Sequence, residues 1–286
     1  AKNIPKTFPH SNSARTLHPY SARHLDWYVN ANSITPCQLM YAMTGTAISH
    51  WNNSRWTGNY YQKQVRSICD AFTAKTDRVY YHRVCKGSKN GFNFGDYVTP
   101  FIYTSLFHRD PVLVQSGSNK PVVFGAGSVL SQVTSQSVVW GTGLMFGTEK
   151  ICKPRQILSV RGPLTRKRIL ELGYPCPEVY GDIGLILPYF YSPSSPAKRY
   201  ELGIIPRYVD SEVVHQQVET EASTVCVIDV TQPVHRVIDQ ILQCKNIASS
   251  SLHGLIASHA YGIPAIWVRF SNKTVIGGSP FKFHDY

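Results

Sequence analysis

The chain has 286 residues, 43% hydrophobic and 16% charged, which bounds it to one large or two modest globular domains and excludes a disordered protein. It has no run of about 20 apolar residues, so no segment has the composition of a membrane-spanning helix. The 29 Lys+Arg against 17 Asp+Glu give a formal net charge of +12, so an anionic partner is expected. Charge sign alone does not choose between nucleic acid, anionic polysaccharide and a phosphorylated metabolite.

Residues 1–35 are polar and rich in Ser, His and Pro, and read as an extended arm. Helical patterns follow near 36–50 and 59–74, separated by an Asn/Trp/Gly-rich turn. From Arg78 the pattern becomes strand, loop, helix, repeated. Strands are predicted at Val79–Val84, Pro121–Phe124, Val138–Trp140, Ile157–Val160 and Val179–Tyr180, with helices over Asp96–Phe107 and Pro163–Leu172. Pro163 suits a first helical turn and Gly173 a helix end. The stretch from Tyr191 to Lys198 has linker composition, and then the alternation restarts. Strands are expected at Tyr200–Ile205, Val225–Val230, Ile247–Ala248 and Ala265–Val268. Helices are expected near 211–221 and over Pro233–Gln243, the latter with Val234, Val237, Ile238, Ile241 and Leu242 on one face.

This alternation predicts an α/β fold with parallel sheets covered on both faces. It divides the chain into an arm with helices (1–77), a Rossmann-like unit (78–191) and a second one (199–286), with a cleft between the last two. In such sheets ligands bind beyond the carboxyl ends of the strands, where every polar motif of this chain falls.

Asn93-Phe94-Gly95-Asp96 precedes the first core helix, and Asp96 reads either as its N-cap or as a general base presented to the cleft. Gly125-Ala126-Gly127-Ser128 is half of a dinucleotide fingerprint. Leu130 occupies the place of the third glycine, which argues against NAD. Arg161, between a strand end and a helix start, reads as a surface arginine or as a guanidinium fork for carboxylate or phosphate. Asp182, in Gly181-Asp182-Ile183-Gly184, suits a side chain bonding its own turn. In Ile247-Ala248-Ser249-Ser250-Ser251-Leu252-His253-Gly254, three hydroxyls and an imidazole meet a helix start, whose N–H groups favour anions. The bland alternative there is a serine N-cap with a structural histidine.

No His/Cys/Asp/Glu spacing suits a metal, and no cofactor is expected. The basic residues Lys153, Arg155, Arg161, Arg166, Lys167 and Arg168 are dense, but no nucleic-acid-binding signature accompanies them, so no nucleic-acid partner is expected. The seven cysteines form no C-x-x-C pair, and Cys226 and Cys244 fall in apolar segments that suit buried free thiols. Asn52-Asn53-Ser54 and Asn272-Lys273-Thr274 match the N-glycosylation pattern.

Taken in order, these motifs resemble the polysaccharide pyruvyl transferase family. The matching pieces are Asn93–Asp96, Gly125–Leu130, Ser159–Thr165, Gly181–Leu185, Gly203–Asp210 and the block from Asp229 to Val268, so the resemblance covers about residues 78–286. It implies a glycosyltransferase-B-like pair of Rossmann-type domains. It also implies transfer of a pyruvyl group from phosphoenolpyruvate to two hydroxyls of a sugar in a polysaccharide or oligosaccharide. The site it implies has His253 as acid/base, Arg161 as anion clamp, and Ser250, Ser251 and Leu252 with the helix start as a phosphate cradle. Arg207, where many members carry histidine, is a further cation. Asp96 orients or deprotonates the acceptor, and Asn93, Gly95, Gly127, Ser128 and Asp182 form acceptor-side or structural loops.

The resemblance also implies a further helix beyond Tyr286, and the start at Ala1 suits removal of a targeting or anchor segment. A bacterial cytoplasmic enzyme, membrane-associated or not, and a lumenal secretory-pathway enzyme both stay open, as does the oligomeric state. The rival readings are a sugar-nucleotide-dependent glycosyltransferase on the same architecture and a non-catalytic glycan-binding protein.

Overall fold

In a computed structural model of the chain, residues 77–82, 93–114, 118–194, 196–218, 224–270 and 280–286 are described. The arm, the helices expected at 36–50 and 59–74, the two glycosylation patterns and Cys37, Cys69 and Cys85 lie outside them. Nine strands among the described residues form two wholly parallel sheets. The first contains β1 (Arg78–Tyr80), β2 (Val112–Val114), β3 (Val122–Phe124), β4 (Ser137–Trp140) and β5 (Gln156–Ser159), in the order β2-β1-β3-β4-β5. The second contains β6 (Tyr200–Ile205), β7 (Val225–Val227), β8 (Cys244–Ser249) and β9 (Ala265–Trp267), in the order β7-β6-β8-β9. Seven α-helices among the described residues complete a mixed α/β fold: α1 (Phe94–Phe107), α2 (Pro163–Glu171), α3 (Leu187–Phe190), α4 (Ser211–Gln217), α5 (Val234–Leu242), α6 (Leu252–Ala260) and α7 (Phe281–Asp285).

Burial explains why the central strands are continuous apolar runs. All residues of β3 and β4 are buried, as parallel strands covered on both faces require. The α5 helix buries Val234, Val237, Ile238, Ile241 and Leu242, the five residues whose 3.6 spacing predicted its apolar face. Its neighbour α1 contains Pro100, which has no N–H to give to the carbonyl four residues back, that of Asp96.

Several boundaries differ from the sequence reading. The strand expected at Ile247–Ala248 begins three residues earlier, because Cys244 and Asn246 pair with Tyr200 and Leu202 despite the exposure of Lys245 and Asn246. Val179–Tyr180 makes only an isolated bridge from Tyr180 to Val160. The edge strand β2 escaped prediction because two of its three residues are exposed and no burial period marks it. The helix expected to reach residue 221 ends at Gln217. No helix among the described residues is long and apolar enough to cross a membrane.

In each sheet the strand order reverses beside the first strand: between β1 and β3 in one, and between β6 and β8 in the other. Chain segments leaving such a pair of strands diverge and open a crevice at their carboxyl ends. The first crevice is bordered by Asn93–Asp96 and Gly125–Ser128, the second by Arg207 and Ser249–His253. The two groups of motifs are thereby placed by topology alone.

Candidate active site

The serine motif is first of all a well-made helix start. Ile205 pairs with Ser249, so the chain emerging from β8 runs beside that emerging from β6. Ser249 Oγ lies 3.0 Å from the Ile205 carbonyl and 2.9 Å from that of Ser251, and accepts from Ser251 N–H. Ser250 Oγ donates to Asp210 Oδ2 at 2.8 Å and accepts from Arg207 N–H at 3.0 Å. Ser251 caps α6 by accepting from Gly254 N–H. The hydroxyl protons of Ser249 and Ser250 are thus engaged in fixing the loop, and what the corner presents to an anion is the start of α6. The N–H groups of a first helical turn have no intrahelical partners.

His253 stands in that first turn. Its Nε2 is buried and makes no hydrogen bond, and the carboxylate of Asp182 lies 3.7 Å away, beyond hydrogen-bond reach. Asp182 in turn accepts from Gly184 N–H at 2.8 Å, capping a short 3-10 turn at 183–186, and faces Gly127 N–H at 3.5 Å. The opposite face of the imidazole rests on Gly95, where a β-carbon would collide with Nδ1. Glycine is required there by contact rather than by backbone angle.

Gly95 brings its neighbours to the same place. Asn93 is the N-terminal boundary of α1 and makes no capping bond; its side-chain amide donates to Asp96 Oδ2 at 2.7 Å. Asp96 is therefore not the N-cap. It lies in the first turn, and its burial raises the carboxyl above its ordinary range, opposed by the Asn93 bond and by His253, His82 and Lys282.

Arg161 differs most from its sequence description. It is 2% exposed. Nε donates to Asp285 Oδ2 at 3.0 Å, Nη1 to Ser128 Oγ at 2.6 Å and Nη2 to the Leu144 carbonyl at 2.6 Å. Burial pulls the guanidinium below its ordinary value while Asp285 and Asp182 hold it charged. The basic patch around it is correspondingly broken up, with Arg166 and Arg168 donating to the carbonyls of Cys176 and Glu149. Arg207 forms a two-pronged pair with Asp210, at 2.7 and 3.0 Å through Nε and Nη2, and its side chain is 19% exposed.

The structure therefore unites His253, Asp96, Asn93, Gly95 and Asp182 in one cluster, joins Arg161 to Ser128, and joins Arg207 to Ser250. Lys282, Asp285 and Asp210 belong to the same neighbourhood and were not singled out from the sequence. The first two sit in Phe-Lys-Phe-His-Asp, which has no spacing that advertises burial; alternation of charge and aromatic rings was its only signal. The remaining cysteine expectation divides: Cys226 and Cys244 are free, Cys244 buried and Cys226 half-buried.

A family model described as polysaccharide pyruvyl transferase matches residues 46–272. The match reaches further toward the N terminus than the motifs, which begin at Asn93, and ends before α7. An uncharacterized protein, L143, of Acanthamoeba polyphaga mimivirus is 32% identical over 200 residues, covering 68% of this chain and 69% of that protein. No solved structure matches.

Proposed function

The chain belongs to the polysaccharide pyruvyl transferase family, and on that premise we propose that it moves the pyruvyl group of phosphoenolpyruvate onto two hydroxyls of a sugar in a glycan, closing a cyclic ketal and releasing phosphate. We read the two sheets as glycosyltransferase-B-like units, residues 78–191 on the acceptor side and 199–286 on the donor side. The observation that carries the reading is the buried, unbonded Nε2 of His253, set between the two crevices against Gly95. A buried polar atom without a protein partner loses about 1–3 kcal/mol of solvation, which a bound reactant restores.

The chemistry requires a proton for the donor methylene carbon, which becomes a methyl group and leaves an oxocarbenium-like centre at the neighbouring carbon. One sugar hydroxyl attacks that centre and gives up its proton. The carbon–oxygen bond to phosphate then breaks, the leaving phosphate takes up a proton, and the second hydroxyl attacks and is deprotonated. His253 is the group for proton transfer at the donor, and Asp96, held by Asn93, orients or deprotonates the acceptor. The start of α6 at Ser250, Ser251 and Leu252, together with the Nη1 of Arg207, faces the donor anion. Arg161, its other donors engaged, serves as a fixed positive charge behind the Gly127-Ser128 loop.

The test is incubation with phosphoenolpyruvate and a panel of galactosides, glucosides and mannosides. The expected result is a mass gain of one ketal-linked pyruvate with release of inorganic phosphate, lost in His253→Ala while far-UV circular dichroism stays unchanged. Retained turnover in that variant removes His253 from the mechanism, and neither mass gain nor phosphate from the wild type overturns the function.

A further inference from the structure

We propose that Asp182 is a positioning residue for the transfer: its carboxylate is the counter-charge of the protonated His253 and leaves the Nε2 proton free to reach the donor carbon. The inference rests on the proposed function for the identity of that donor. Its ground is a carboxylate from the side of the first sheet and an imidazole from the side of the second, 3.7 Å apart. The side chains of Asp182 and His253 are 0% and 14% exposed.

Both partners are fixed by the backbone around them. Asp182 follows Gly181, whose N–H donates to the carbonyls of Val160 and Arg161 at 3.0 and 3.2 Å and whose φ of 133° suits glycine. Asp182 Oδ1 accepts from Gly184 N–H at 2.8 Å and so caps the 3-10 turn at 183–186. That turn lies directly on α6. A β-carbon on Gly184 would stand 2.9 Å from the Ile256 side chain, and Leu185 packs with Leu252 and Ile256, joined by Phe283 and Tyr286. Ile256 is three residues beyond His253 and lies on the same face of the helix. On its other side the imidazole is stopped by Gly95, where a β-carbon would collide with Nδ1. The separation of the pair is therefore set by packed elements and not by free side-chain rotation.

That separation decides what the carboxylate does. At 3.7 Å an opposite charge favours the protonated imidazole, whereas a hydrogen bond needs about 3.2 Å or less. Asp182 is held in place by backbone instead, through Gly184 N–H at Oδ1 and with Gly127 N–H 3.5 Å from Oδ2. The Nε2 proton thus feels the carboxylate without being taken up by it, and Nε2 makes no hydrogen bond. In the transfer the N–H bond at Nε2 breaks, the C=C electron pair of the donor forms the new C–H bond, and the ring is left neutral. The proton released by one attacking sugar hydroxyl recharges it. Asp96 of α1 also attracts His253, and is itself acted on by His82 and Lys282. Arg161 attracts Asp182 from the side of the first sheet. On α6 itself, His259 meets the Tyr286 hydroxyl at 3.0 Å.

The test uses Asp182→Asn, which keeps an oxygen for Gly184 N–H and removes the charge, and Asp182→Ser, a second charge-free side chain able to cap the turn. Histidine-ring NMR near neutral pH, assigned with His253→Gln, measures the ratio of charged to neutral His253 without any substrate. That ratio is expected to fall by about 10-fold or more in both variants. Turnover relative to wild type should fall by a similar factor at about pH 8 and recover as the pH is lowered toward about 6, with the acceptor KM unchanged. Taking the ratio to wild type at each pH removes the titration of Asp96, which both proteins share. An unchanged charge ratio, turnover lost equally at every pH, or failure of both variants to fold overturns the inference, while wild-type activity leaves the proposed function standing. If the wild type transfers nothing from phosphoenolpyruvate, the proposed function falls, and the substrate-free measurement still decides Asp182.

Discussion

A buried carboxyl beside a histidine is the residue-scale feature with the clearest physical consequence. Desolvation raises Asp96, so its ionised form disfavours folding. The sign follows directly: its contribution to stability is full below the ordinary carboxylate range and is lost as pH rises through the raised value in the folded protein. Asp96→Asn keeps an acceptor for the Asn93 amide and cannot ionise. It is therefore expected to melt above the wild type at neutral pH, by about 2–4 °C for each kcal/mol recovered. The gap should close as pH falls into the carboxylate range, while pyruvyl transfer is lost. Thermal melts of both proteins over pH 3–8 check this, and a gap independent of pH would assign the stabilisation to packing instead. A carboxyl kept at a cost to folding is what an acid/base residue requires.

Short elements matter here more than long ones. The longest described helix, α1, brings its first turn against His253, and the five-residue α7 brings Asp285 against Arg161. The pair between Arg161 and Asp285 has both side chains fully buried, so its strength lies in the loss that follows when one partner is removed. Asp285→Asn leaves Arg161 charged and buried, and is expected to lower stability by about 3–5 kcal/mol. Urea unfolding measures that loss directly. A cost below about 1 kcal/mol, the value of an exposed pair, would show that α7 is not anchored through this contact.

At the scale of the whole molecule the two sheets share one hydrophobic core. A single buried cluster contains Val79, Val123, Val138 and Leu158 of the first sheet with Ile205, Ile247 and the α5 residues of the second, bridged by Phe94, Val98 and Ile102 of α1. The Phe94 N–H also donates to the Val230 carbonyl at 2.7 Å. Ile238→Ala, in α5, is expected to lower stability by about 2–5 kcal/mol. The same loss should appear in the denaturation midpoint reported by Trp140, which is buried in the first sheet. A Trp140 transition unmoved by the substitution would show that the two sheets unfold independently.

The sequence by itself determined the alternation of strand and helix, the apolar face of α5 and the placing of polar motifs after strands, because each is recorded locally by burial period and turn chemistry. It also placed Asn93–Asp96 and the Ser-Leu-His corner after strands, at the end of a parallel sheet where ligands bind. Only the tertiary structure decided which charges meet. Arg161 and Asp285 are separated by 124 positions, and no local pattern distinguishes an arginine that faces solvent from one bound by a distant carboxylate. For the same reason Lys282 is invisible in one dimension: its burial follows from contacts that Asp285, Phe283 and Tyr286 make with residues far away in the chain, and a lysine between two phenylalanines carries no mark of them.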